Sequence, residues 1–294
     1  MSNDSNQDQL PLTLVNACAN NFSIKDLPEI TEENLTELNK IGPIHYAVIN
    51  NNLEVFSLLI KHGVSINFRS ENTPLHYFAI SENFNREFLT NIINLGADIN
   101  AVNDETPLMI LCRMKKIDLI KILLENGADL KLKNGQTAFH IASMETESVD
   151  ILKVLISFGA DLQELDKRSA IYYASKKSKG VEIELLINNG LKPTKSHLFK
   201  ALKYQNSEEA IRLLCSQLDL KNISNVLEYA IKDKVPLSYI KILIENNADL
   251  HQKINNFVLS DSNLLHLAMY YYDNPTIADF FIKIGFKPDV QFHY

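Results

Sequence analysis

The chain has 294 residues, 46% hydrophobic and 22% charged, with 29 basic and 36 acidic side chains and a formal charge of −7. The length fits two globular domains or one repeat array, and the composition excludes wholesale disorder. A net-negative chain does not bind nucleic acid or an anionic membrane by default; either contact needs a local basic patch.

Residues 1–8 are polar and carry no basic side chain. They do not read as a secretory signal and are expected to form a disordered tail. Pro11-Leu12-Thr13-Leu14-Val15 lies 32 residues before Pro43, so residues 9–37 are expected to be a degenerate N-terminal cap. From residue 38 the chain repeats. Gly42-Pro43-Ile44-His45-Tyr46-Ala47 opens a unit that Gly63 closes. Thr73-Pro74-Leu75-His76 opens the next, closed by Gly96-Ala97-Asp98. Thr106-Pro107-Leu108-Met109 and Gly127-Ala128-Asp129 bound a third; Thr137-Ala138-Phe139-His140 and Gly159-Ala160-Asp161 bound a fourth. The opening motif recurs in steps of 33 and 31 residues and the closing motif in steps of 31 and 32. Two independent motifs at one period and a fixed offset define a repeat.

Ser169-Ala170-Ile171-Tyr172-Tyr173-Ala174 opens a fifth unit, closed by Gly190. His197-Leu198-Phe199-Lys200-Ala201 and Val226-Leu227-Glu228-Tyr229-Ala230 keep only the core alanine, and Asn247 stands for the closing glycine of the latter. Asn tolerates the left-handed region that such a helix stop needs. Asn263-Leu264-Leu265-His266-Leu267-Ala268 opens the last unit and Gly285 closes it. The core small-residue positions fall at 47, 78, 111, 142, 174, 201, 230 and 268, in steps of 31, 33, 31, 32, 27, 29 and 38. The short steps predict trimmed turns near 190–197 and 219–226, and the long one an exposed insertion near 251–263.

Within a unit the pattern predicts two short helices. Thr is a good N-cap, and Pro at the next position has its φ preset and no N–H to orphan. Leu119, Ile120, Ile122, Leu123 and Leu124 form the apolar stripe of a second helix, which Gly127 ends. One such unit cannot bury its apolar face alone, so neighbours must stack. Residues 193–225 lack the Thr-Pro start and the glycine stop, and are expected to be the weakest stretch.

The motifs resemble those of the ankyrin repeat, T-P-L-H-x-A followed by a leucine-rich helix and G-A-D. The resemblance implies an all-α ankyrin-repeat solenoid of about eight helix-turn-helix units with short hairpin-like turns, over residues 38–294 and degenerate near 193–250. It implies that His45, His76, His140 and His266, at one place in the repeat, hydrogen-bond backbone between neighbours. Asn67 and Asn100 hold a turn position that is hydroxylated in some animal ankyrin proteins; a structural turn role suits them better. The resemblance also implies a non-catalytic module that binds another protein on its concave face, as a monomer, and that acts as an adaptor or a secreted effector. The alternatives are an inhibitor that plugs a partner enzyme and a binder of a phosphate-rich ligand at the lysines. The expected place is the cytoplasm, or a host cell reached without a classical signal peptide.

No residues point to catalysis, a cofactor or a metal. Cys18, Cys112 and Cys215 are far apart and form no C-x-x-C pair. Cys112 and Cys215 follow leucines and read as inert packed thiols. Histidines one repeat apart cannot converge on one ion. The nucleotide, nucleophile-elbow and metalloprotease motifs are missing, and no apolar run reaches the length of a membrane span.

The expected partner-binding positions are the outward ends of the first helices: Arg113, Met114, Met144, Lys176, Lys177, Lys203, Tyr204, Tyr270 and Tyr271. Arg, Met and Tyr are enriched at interface centres. Lysines also end helices for their own reasons, since they solvate well and favour the dipole; both readings of the lysines stay open at this point.

Overall fold

The structure is a computed structural model, and it describes residues 42–69, 71–81, 85–132, 135–145, 148–162, 170–177, 180–251 and 263–287. The expected tail at 1–8, the cap at 9–37 and most of the 251–263 insertion lie outside the described residues. Among the described residues sixteen α-helices form eight pairs. They are α1 Pro43–Ile49, α2 Leu53–Lys61, α3 Pro74–Ile80, α4 Arg86–Asn94, α5 Pro107–Arg113, α6 Ile117–Glu125, α7 Ala138–Met144 and α8 Val149–Ser157. There follow α9 Ala170–Lys177, α10 Val181–Asn188, α11 Lys195–Lys203, α12 Glu208–Ser216, α13 Val226–Lys232, α14 Leu237–Glu245, α15 Leu264–Tyr271 and α16 Thr276–Lys283. The described residues include no strand, so the turns between pairs are turns alone.

Two compact units emerge, Met1–Ala142 with Ser157–Ala160, and Ser143–Ile156 with Asp161–Tyr294. In the first, α1 packs on α3, α3 on α5, and α4 on α6. In the second, α9, α11, α13 and α15 pack in sequence, with α10, α12 and α14 forming a parallel row. Within the units first helices also touch their own second helices, as α5 does α6 and α11 does α12. A two-row lattice of this kind is an all-helical ankyrin-type stack.

All eight core positions are buried, but two of them do not hold small residues. Phe78 and Leu111 fill slots where alanine stands elsewhere. Phe78 is fully buried and meets Phe88 edge-on at 6.1 Å, and Phe88 meets Phe56 edge-on at 5.1 Å. These edge-to-face rings fill the slot, and such pairs add to the area they bury.

Histidine links one pair to the next. The Nε2 of His76 lies 2.9 Å from the carbonyl oxygen of Glu105, and that of His45 lies 3.2 Å from the carbonyl oxygen of Phe68. A carbonyl only accepts, so Nε2 carries the proton and Nδ1 is the acceptor. Nδ1 of His76 then takes the Thr73 hydroxyl at 2.7 Å, and Nδ1 of His140 takes that of Thr137 at 2.8 Å. At α7 the imidazole plays the glutamate part of a capping box, accepting from the Thr137 N–H at 3.2 Å, while the Thr137 hydroxyl accepts from the His140 N–H at 3.4 Å. Where methionine replaces histidine, the Thr106 N–H lies 3.4 Å from Met109 Sδ.

Turn asparagines form a second ladder. Asn67 donates to the Gly96 carbonyl at 3.1 Å and accepts from the Asp98 N–H at 2.7 Å. Asn100 does the same with Gly127 and Asp129, at 3.1 and 2.8 Å. The structural reading of both residues therefore has direct partners.

The expectation that residues 193–225 lack caps is corrected. Thr194 starts α11, its N–H donating to His197 Nδ1 at 3.0 Å, and the Ser207 hydroxyl caps α12 at the Ala210 N–H, 3.2 Å away. Gln205 ends α11 in the left-handed region, with φ of 48°. Two ends depart: the chain after α12 turns into a short 3₁₀ helix, Leu220–Asn222, and Asn225 starts α13 from the left-handed region without a side-chain cap. New ties join the pairs here. The Asn206 side chain donates to the carbonyls of Ala174 and Ser175, at 3.2 and 2.8 Å. Tyr239 donates its hydroxyl to the Asn206 carbonyl, and Tyr272 to that of Val235 at 2.7 Å.

Two outcomes are expected. Phe78→Ala restores the small residue of the repeat, yet it empties a packed site and should cost about 3–5 kcal/mol in urea unfolding. Burial holds the imidazoles of His45, His76 and His266 below their ordinary 6.5, and that of His197 at about 4. As pH falls below 6.5 the unfolded chain binds protons that the fold refuses. Stability is therefore complete above 6.5 and declines toward the folded values, and His76→Gln should flatten that decline in melting temperature measured from pH 7 to 5.

Candidate functional site

The first helices carry the positions that the sequence singles out to their exposed ends. In the first unit Arg113 closes α5 and forms an ion pair with Glu105 in the turn before that helix. Met114 caps α5 and is 38% exposed. Ile49 and Ile80 end α1 and α3 in the same register and are exposed too. The turn tips are engaged with one another. Arg69 donates to the Val102 carbonyl at 2.6 Å, and Asn103 donates to the Glu71 carbonyl at 2.7 Å.

In the second unit Met144 ends α7 half-buried. Lys176 and Lys177 end α9, and their side chains lie outside the described residues. Lys203 ends α11 and Tyr204 caps it, both exposed. Tyr270 and Tyr271 end α15 with their rings edge-on at 5.1 Å, and Tyr270 is 71% exposed.

The structure adds residues that sequence reasoning passed over. Lys200 Nζ lies 5.2 Å from the centre of the Tyr172 ring and 5.8 Å from that of Tyr204. The neighbouring Phe199 stacks on Tyr229, with centroids 4.5 Å apart and planes 12° from parallel. Lysine over two tyrosine faces is a cation–π arrangement. It joins α9 to α11, and the ring stack joins α11 to α13. Tyr172, Phe199 and Glu228 occupy the slot that histidine holds in four other repeats. That run of departures from the motif is the signal that would have found them. At the edge of the cluster Glu228 takes an ammonium hydrogen of Lys232 at 2.6 Å. Burial, then a hydrogen bond and the charge of Asp233, push the Tyr229 hydroxyl up to about 12.

Nothing in this arrangement is a nucleophile. Cys112 and Cys215 are free and buried, and desolvation pushes the first thiol far up and the second to about 12. A thiol held protonated is neither a nucleophile nor a metal ligand. Among the described residues no group of three His, Cys, Asp or Glu side chains could hold a metal ion, and no helix is long and apolar enough to cross a membrane.

Comparison with known proteins agrees with the lattice. A model of three ankyrin repeats matches residues 14–103 and 78–166, together just over half of the chain. Ankyrin repeat and SOCS box protein 6 of Homo sapiens is 33% identical over 109 residues, covering 33% of this chain and 26% of that protein. Protein phosphatase 1 regulatory subunit 27 of Mus musculus is 40% identical over 67 residues, 22% of this chain and 42% of that protein. Ankyrin repeat and SOCS box protein 11 of Danio rerio is 27% identical over 105 residues, 35% of this chain and 36% of that protein. The chain thus spans less than half the length of each of these relatives. The repeat register, the helix pairs, the bridging histidines and the matched span together place this chain in the ankyrin-repeat family.

Proposed function

We propose that the chain is a non-catalytic adaptor that docks another protein on the exposed ends of its first helices. Ankyrin arrays are protein–protein interaction modules, and an extended face of stacked repeats is how such arrays bind. One relative is named as the regulatory subunit of a phosphatase, which fits an adaptor role. The observation that carries the reading is a register of large side chains at those ends that folding does not need: Ile49, Ile80, Met114, Tyr204 and Tyr270 are all exposed. Side chains of these types supply hot-spot area once a partner covers them. The reading includes a monomer that works in the cytoplasm of its own cell or of a host.

The test uses a partner captured by the full chain from a lysate and then purified. Met114→Asp and Tyr204→Asp should each weaken its binding by at least about tenfold, the loss typical of a hot spot, with melting temperature unchanged. Lys121→Glu, on the exposed side of the second helix α6, should leave binding as it was. Equal affinities across all three variants would place the interface elsewhere.

A further inference from the structure

We propose that the aromatic and cationic cluster on α9, α11 and α13 anchors an acidic segment of a partner protein, one that carries an aromatic side chain beside its carboxylates. The proposal rests on the adaptor reading and names the chemistry of its ligand.

Three observations carry it. First, the cluster is built where the repeat gives up its own motif. Tyr172, Phe199 and Glu228 stand in the histidine slot of three consecutive pairs. The pairs are tied here from other positions, by Asn206 to Ala174 and Ser175, and by Tyr239 to Asn206, while α11 keeps a histidine at its start, His197 beside Thr194. The slot's side chains are half-exposed at Tyr172 and Phe199.

Second, the cations are uncompensated. Arg212 is paired with Glu245, Lys232 with Glu228 and Lys153 with Asp150. Among the described residues no carboxylate lies within ion-pair distance of Lys200 or Lys203. The rings of Tyr172 and Tyr204 hold the Lys200 ammonium in place without giving it a counter-charge. Lys203 lies one helical turn further along α11. Two cations one turn apart, Lys200 held by rings and Lys203 exposed, beside the stacked faces of Phe199 and Tyr229, present a charge for carboxylates and an edge for a ring.

Third, the border of the cluster selects against a longer polyanion. Asp233 keeps one buried carboxylate oxygen with no hydrogen-bond partner, whereas the carboxylate of Glu228 is paired with Lys232. That places negative charge at the α13 side. A polyphosphate running on past Tyr229 meets repulsion there, and two lysines supply few of the phosphate contacts that nucleic-acid binding needs. A short segment with two or three carboxylates ends before reaching it.

The experiment is selection of a phage-displayed random-peptide library on the full chain, with a parallel selection on Lys200→Glu. Enriched peptides are expected to pair Asp or Glu with Phe, Tyr or Trp, and to disappear from the parallel selection. A labelled consensus peptide should then bind at least about tenfold more weakly to Lys200→Glu and to Lys203→Glu, while circular dichroism melting stays the same. Lys203 is exposed, so its variant reports on binding even if Lys200→Glu perturbs the fold. Enriched peptides without carboxylates, peptides that bind both variants as well as the wild type, or no enrichment would overturn the proposal. So would binding of oligouridylate that falls steeply with salt and is lost in Lys200→Glu, which would assign the cluster to single-stranded nucleic acid. If the peptide result fails while a purified partner still depends on Met114 and Tyr204, the adaptor reading stands and only this ligand falls.

Discussion

The fold turns on an imidazole that is neutral and has one tautomer. His76 must accept at Nδ1 from Thr73 and donate at Nε2 to the Glu105 carbonyl, and a protonated ring could not do the first. With both bonds made, one side chain fixes the start of its own helix and the position of the next turn. The helices are only seven to nine residues long, too short to persist alone in water. They persist because each is held at its ends and covered on its sides by the neighbouring pair. The asparagine ladder of Asn67 and Asn100 ties the other end of the turn in the same way.

Where other side chains fill the slot two residues before the core alanine, the pairs gain further ties. In the second unit the buried Asn206 reaches back to the end of α9, and Tyr239 reaches back to Asn206. Burial raises the hydroxyls of Tyr239 and Tyr272 above their usual range, which keeps both as donors to the carbonyls they meet. The exchange has a surface consequence. The slot carries Tyr172 and Phe199, and the position after it carries Lys200, so structural change and candidate function coincide in the same repeats.

Much of this was legible in the sequence, for a physical reason. Features that every repeat needs recur at the repeat period. The Thr-Pro start and the closing glycine each mark a helix boundary that the structure keeps, the core slot is buried, and the slot assigned to the bridging histidine is the one that makes the bridge at His45 and His76. What occurs once has no period to reveal it. Asn206 and Tyr239 act across 31 to 33 residues through positions that lie outside the opening and closing motifs. Phe78 was legible as core but not as an oversized occupant, since its room depends on Phe56 and Phe88 in other helices. Lys203 and Tyr204 were found as helix-end residues. Lys200 has no such signal, because its environment is set by one ring on α9 and another at the end of its own helix.

The most direct measurement is the protonation state of the His76 ring, read from long-range nitrogen–proton NMR correlations of imidazole-labelled protein between pH 7.5 and 5. A ring that bridges two pairs should show a proton on Nε2 and none on Nδ1, and should stay neutral well below the ordinary 6.5. A proton on Nδ1 in the neutral ring, or titration at the value of a free histidine, would contradict the bridge on which the stacking of these repeats depends.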